Sequence, residues 1–409
     1  MDEPTPELDE QQQERARAGI LSRLTRPIPF TLAAVGAAAL LSLVLWLFFF
    51  RAPEPQPTPP PADDRRSPTI LYEETAVRDL EDKVKQADLA LLESLRSLGG
   101  GTVSMQLLDA QVRHQGEEDY HFQSLRLNVG AKRTEFLDAF RSTLAARLPE
   151  AQVGEGSAGL VTVSIDGVLT HELHVDGIKE KEKLPPPPSV PGPKLTIVID
   201  DMGEHAEFAR SLARLPFPVT FSIWPNAGQT RETAAVGRKN GREILAHVPM
   251  QPKGWPGINP GPQALYVSMD PEEVRQTLRR NLDKLPEAVG INNHMGSRFT
   301  ESAPGMDAVM DVLAERGLFY LDSVTSPRSV GAAEARRAGL RAFKRDVFLD
   351  NERNVQAILH QLRLTESLAR RAGRAIAIGH PHPETLEALS QWAKDRDGRI
   401  SVVPLSGLR

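Results

Sequence analysis

The stretch Leu195-Thr196-Ile197-Val198-Ile199-Asp200-Asp201-Met202-Gly203 decides how the chain is read. Leu195 to Ile199 is a β-rich apolar run without internal alternation. That is the pattern of a strand buried on both faces, as in a parallel sheet. The run ends in two adjacent carboxylates. In α/β folds, ligands bind at the carboxyl ends of parallel strands. Two neighbouring acids repel each other, so a bound cation or a raised pKa is the chemistry that keeps such a pair. A helix N-cap ahead of Glu204 is the plainer alternative, and this stretch alone leaves both open.

Outward from it, residues 194–409 alternate between strand and helix signals. Strands are expected at 195–199, 219–223, 243–248, 288–292, 318–321, 340–343, 375–378 and 400–403. Helices are expected at 204–215, 230–240, 271–285, 305–316, 354–372 and 383–394. This alternation predicts an α/β fold, an irregular (β/α) barrel covered by helices. In such a barrel the site is assembled from several strand C-termini. Asp200-Asp201, His247, Asn292-Asn293-His294, Asp322-Ser323, Asp346, Asp350 and His380 all fall at such ends. An Asp with two neutral imidazoles makes a three-ligand metal site with an open position, and a second carboxylate beside it can act as a base. A lone His at a strand end is more often a structural hydrogen-bonder; the weight lies on the set. Asp350 with Asn351 reads as a cap for the helix near Asn354, Gly203 and Gly296 as turn glycines, and His382 as exposed. Trp255, in a Pro/Gly-rich loop, either stacks on a sugar or fastens that loop.

The preceding half is organised differently. Residues 1–26 read as a polar cytoplasmic tail. Pro27 to Phe50 carries no charge, and Phe30 to Phe50 is long enough to span a bilayer at ~1.5 Å per residue. No small-residue cleavage site follows, so the run reads as a retained transmembrane helix rather than a signal peptide. Arg15, Arg17, Arg23 and Arg26 precede it, which predicts a single-pass inner-membrane protein with later domains periplasmic or extracytoplasmic. Residues 51–68 and 179–193 are Pro-rich linkers. Between them, 69–178 reads as a small α+β module of unknown role, in which His114, His121, His171 and His174 are expected at the surface.

Composition narrows the chemistry. There is no Cys, which excludes disulfides, Cys-ligated clusters and thiolate zinc, so a metal must use His, Asp or Glu. A net charge of −5, without a basic patch, gives no support for nucleic-acid binding.

Residues 199–203 (Ile-Asp-Asp-Met-Gly), 246–251 (Ala-His-Val-Pro-Met-Gln), 290–297 (Gly-Ile-Asn-Asn-His-Met-Gly-Ser), 319–323, 345–350 and 377–383 (Ala-Ile-Gly-His-Pro-His-Pro) together resemble the divergent polysaccharide deacetylase family, a branch of the NodB-like carbohydrate esterases. The resemblance spans nearly all of 194–409. It implies a NodB-like barrel and metal-dependent hydrolysis of acetyl groups from an envelope polysaccharide or peptidoglycan. It implies Asp200 as general base, His380 as acid, and a divalent metal, zinc by preference, on Asp201 and His247. The family's usual second metal His is replaced by Gln251, and His294 is the candidate third ligand. A non-catalytic carbohydrate-binding or scaffold role on the same fold is the alternative.

Overall fold

The computed structural model describes residues 80–99, 103–116, 118–156, 159–176 and 192–408. The expected tail, the span at 27–50 and the linker at 51–68 lie outside these residues, as does the second linker apart from Gly192 and Pro193. Among the described residues no helix is long and apolar enough to cross a membrane. The expected transmembrane helix, and the single-pass inner-membrane placement built on it, are corrected accordingly: the hydropathy of 27–50 has no described helix to support it.

The N-terminal part is a five-stranded sheet with two helices on it. Helix α1 (Leu80–Ser97) is followed by β1 (Ser104–Gln115), β2 (Glu118–Asn128), α2 (Arg133–Arg147), β3 (Gln152–Glu155), β4 (Leu160–Ile165) and β5 (Val168–Asp176). The sheet order is β1-β2-β5-β4-β3, antiparallel except for the parallel pair β2 and β5. Helical spacing puts Val84, Leu91 and Leu95 of α1 on one buried stripe. They meet Phe136, Phe140 and Leu144 of α2 and the inward residues Leu125, Val161 and Leu173.

The C-terminal part is a parallel sheet curled into an open barrel. Its strands are β6 (Lys194–Met202), β7 (Thr220–Ile223), β8 (Ile244–Met250), β9 (Gly290–Met295), β10 (Phe319–Asp322), β11 (Ala342–Lys344), β12 (Val347–Phe348), β13 (Arg374–Gly379) and β14 (Ser401–Val402). The order is β11-β10-β9-β8-β7-β6-β13-β12, with β14 beside β6. The barrel is irregular because β11 and β12 end the path instead of pairing with each other. The intervening helices are α3 (Ala206–Ala213), α4 (Thr230–Lys239), α5 (Pro271–Leu282), α6 (Ala303–Arg316), α7 (Gly331–Arg337), α8 (Val355–Ala372) and α9 (Pro383–Asp395). Strands β6, β8 and β9 are buried almost end to end, and in β6 this is why Leu195–Ile199 reads as an apolar run without alternation. In this part α7 and the two-residue β12 were not foreseen, both too short for a periodic signal.

The two parts are packed together within one compact unit. Ala110 of β1 joins the barrel's core cluster, and Arg371 of α8 pairs with Asp109. His360 of α8 reaches into the N-terminal part, where its Nε2 lies 3.0 Å from Gln123 Oε1 and 3.4 Å from Asp88 Oδ1. His171 approaches the same Asp88 oxygen at 3.2 Å. The expectation of surface histidines in this part is therefore corrected for two of them: His171 is buried on Asp88, and His121 is buried on Glu81. Each is held inside by a carboxylate from α1, a partner that sequence spacing does not reveal.

Candidate active site and metal centre

The site begins with a break in alternation. Consecutive residues of a strand face opposite sides, so Asp200 and Asp201 on a regular β6 would diverge. Asp201 instead adopts φ +51°, and the register between β6 and β7 shifts between Ile199 and Met202. This bulge turns both carboxylates to one side. Gly203 follows at φ +124°, where a Cβ would lie 2.8 Å from that of Ala227, so glycine is required there. Asp201 takes no helix-capping role; its Oδ1 accepts Trp224 Nε1–H at 2.9 Å.

Three atoms converge on this point. His247 Nε2 lies 3.1 Å and His294 Nδ1 2.9 Å from Asp201 Oδ1, and the two imidazole nitrogens are 3.2 Å apart. His247 comes from β8 and His294 from β9, adjacent strands in register. Asn292 sets the chemistry of the group. Its Nδ2 donates to both oxygens of Asp200, at 2.8 and 2.9 Å. Its Oδ1 accepts from Ser222 Oγ at 2.5 Å and from His247 Nδ1 at 2.8 Å. A carboxylate can only accept, so the amide nitrogen faces Asp200 and the carbonyl faces His247. His247 therefore carries its proton on Nδ1 and aims the Nε2 lone pair at Asp201.

Asp200, Asp201, His247, His294 and His380 are all between 2% and 8% exposed. Asp201 Oδ2 is buried and has no hydrogen-bond partner among the described residues. Lone pairs of two imidazoles and a carboxylate crowd one small volume, with a carboxylate oxygen left over. A divalent cation suits that donor set, and Asp201, His247 and His294 are close enough to share one. Asp350, His380 and His382 form a second close group. There, however, Asp350 already accepts three hydrogen bonds, from His380 N–H (2.6 Å), His380 Nδ1–H (2.8 Å) and Thr385 Oγ–H (2.6 Å). That arrangement orients an imidazole.

Electrostatics divide the residues further. Burial pushes the Asp200 carboxyl up, against the pull of His247 and His380. Burial also works to raise Asp201, but His294 and His247 hold it well below the usual carboxylate range. For His380, burial disfavours the imidazolium, but Asp350, with Asp201 and Asp200 behind it, raises it to about 9.

The expected site residues thus come together, and three further ones join them. Asn292, Trp224 and Asp350 had been noted only as parts of a strand end, not at all, or as a cap, respectively. The helix cap is Asn354, whose side chain accepts from Gln356 N–H and Ala357 N–H. Other polar strand ends serve loops: Asp322 accepts from Val324 N–H and Ser329 Oγ–H, and Asp346 from Ile376 N–H. Gln251 accepts Val267 N–H and so fastens the loop that follows β8. Trp255 packs on Tyr266 in that loop and stays 38% exposed.

An open parallel (β/α) barrel with an Asp-His-His cluster and a separate Asp-oriented His at its strand ends is the architecture of a deacetylase-like carbohydrate esterase fold. The model of the divergent polysaccharide deacetylase family matches residues 197–409, and the chain belongs to that family. An uncharacterized protein of Escherichia coli (strain K12), YibQ, is 36% identical over 215 residues, which cover 53% of this chain and 67% of the relative. A Haemophilus influenzae protein is 34% identical over 215 residues, covering 53% of this chain and 76% of its own length. The crystal structure of an uncharacterized Agrobacterium tumefaciens C58 protein shares the fold at a TM-score of 0.52 and 30% identity, over 55% of this chain and 92% of that one.

Proposed function

We propose that the barrel hydrolyses an acetyl group from a carbohydrate, with an envelope polysaccharide or peptidoglycan as the substrate class, using a divalent metal, zinc by preference, on Asp201, His247 and His294. The observation that carries this reading is the buried convergence of those three residues with Asp201 Oδ2 left unpartnered. A bound cation there would act as Lewis acid toward the acetyl carbonyl and lower the pKa of a water molecule.

The chain's own residues supply the proton transfers. Asp200, held at both oxygens by Asn292, takes a proton from the attacking water. A C–O bond forms to the acetyl carbon and the C–N or C–O bond to the sugar breaks. His380, charged and anchored at Nδ1 by Asp350, gives its remaining ring proton to the departing nitrogen or oxygen. The products are acetate and a free amine or hydroxyl.

The deciding experiment is acetate release from N-acetylated chito-oligosaccharides by the zinc-loaded full chain. Wild type should release acetate, and Asp200→Asn and His380→Ala should each lose roughly 10²–10⁴-fold. Gln251, which stands where the family's second metal His is expected and instead accepts Val267 N–H, favours one second reading, a non-catalytic carbohydrate-binding or scaffold module. Sugar binding without acetate from wild type would select that reading.

A further inference from the structure

We propose that Trp224 is the positioning residue for Asp201 and His294: one indole fixes both, so that these two ligands stand ready before an ion arrives. This rests on the metal reading above and extends it to a side chain to which that reading gives no role.

Trp224 directly follows β7, and both polar groups of its backbone are tied. Its N–H donates to Met202 O at 2.8 Å, and its carbonyl accepts Thr230 Oγ–H at 2.6 Å. The first of these bonds joins it to the residue after Asp201, so the tryptophan and the bulge of β6 hold one another in place. From there the half-buried indole makes two contacts. Its Nε1–H donates to Asp201 Oδ1 at 2.9 Å. Its ring meets the His294 ring edge to face, with centroids 4.6 Å apart and planes at 69°.

The two imidazoles differ in what aims them. A metal-binding histidine is normally oriented by a hydrogen bond at its other ring nitrogen. His247 has that bond, from Nδ1 to Asn292. The polar contacts of the His294 ring run through Nδ1, to Asp201 and His247, and its Nε2 has no protein partner among the described residues. Its plane is set instead by rings: Trp224 at 4.6 Å and His247 at 5.0 Å, both edge to face, an arrangement that aromatic pairs prefer. The indole suits the other task as well. Its N–H is a donor only, with no lone pair to offer an ion. Trp224 therefore holds the Asp201 carboxylate without competing for a coordination place.

The test is zinc affinity of the full chain by chelator competition, with the visible absorption of the cobalt-loaded protein as a readout of ligand geometry. Trp224→Phe keeps a ring against His294 and removes the donor; Trp224→Leu removes both. Zinc should bind about 10-fold more weakly to Trp224→Phe and up to about 100-fold more weakly to Trp224→Leu, the range expected on losing an orienting partner. The cobalt spectrum should change in both variants, most in Trp224→Leu. The apo unfolding midpoint of Trp224→Phe should move little, because Asp201 Oδ1 keeps both imidazole nitrogens beside it. That variant decides the matter if Trp224→Leu does not fold. Zinc affinity of Trp224→Phe within about twofold of wild type would overturn the proposal and leave the metal reading standing. So would a Trp224→Phe that fails to fold, or weaker binding with an unchanged cobalt spectrum; either would mark the tryptophan as structural. Absence of zinc binding by wild type would sink the metal reading itself, and this proposal with it.

Discussion

Replacing Asn292 by alanine should weaken metal binding although Asn292 itself contributes no ligand. Its amide joins both halves of the site, donating to Asp200 and accepting from His247 and Ser222. Without it, nothing holds the His247 proton on Nδ1, and the Nε2 lone pair no longer has a fixed aim. Losing such an orienting partner costs about 10–100-fold in metal affinity, or roughly 1.4–2.8 kcal/mol. The apo fold should suffer as well. Asp200, His247 and Ser222 are all buried and each loses a partner, which puts the expected cost at about 3–5 kcal/mol. Asn292 favours the charged form of Asp200, so its removal should push that carboxyl further up and move the acid limb of activity to higher pH. Zinc affinity is read by chelator competition, and apo stability by urea unfolding. A variant that folds as wild type does and binds zinc within about twofold of it would refute the orienting role assigned to Asn292.

Two other perturbations test separate links. His380 is raised to about 9 chiefly by Asp350, so its acid form persists up to that pH and activity should fall above it; Asp350→Asn should shift this alkaline limb to lower pH. An unmoved limb in the pH–rate profile would contradict the pairing. Asp88 is fully buried, and His360 and His171 hold its carboxyl below the ordinary value of 3.8 against the effect of burial. Its folded pKa is depressed, so its stabilisation is in place above about pH 4 and is lost on acidification below that. Asp88→Ala should cost about 3–5 kcal/mol near neutral pH in urea unfolding; a change below about 1 kcal/mol would show that the junction with α8 does not depend on it.

The barrel was legible because strand signals alternate with helix-length segments through 194–409, the pattern of a parallel sheet covered by helices. Asp200, Asp201, His247, His294 and His380 were legible because a parallel barrel brings strand C-termini together. Their arrangement was less so. Nothing in the spacing of Asp200 and Asp201 announces φ +51° at Asp201, without which the pair would face opposite sides. Asn292 and Trp224 act through neighbours on other strands, which a one-dimensional reading cannot align. Asp350 looked like a helix cap because a carboxylate shortly before a helix usually is one; only the fold brings β12 beside β13 and hence Asp350 beside His380. The buried His121 and His171 were missed for the same reason, since α1 supplies their carboxylate partners from about 40 and 83 residues away.

The proposed function depends on His294 joining Asp201 and His247 around a metal ion. Its direct test is metal stoichiometry after zinc loading and desalting, on the full chain and on His294→Gln. The account predicts close to one zinc per wild-type chain and a large loss in His294→Gln, with both proteins folded. Equal zinc retention in the two, or none in wild type, would contradict it.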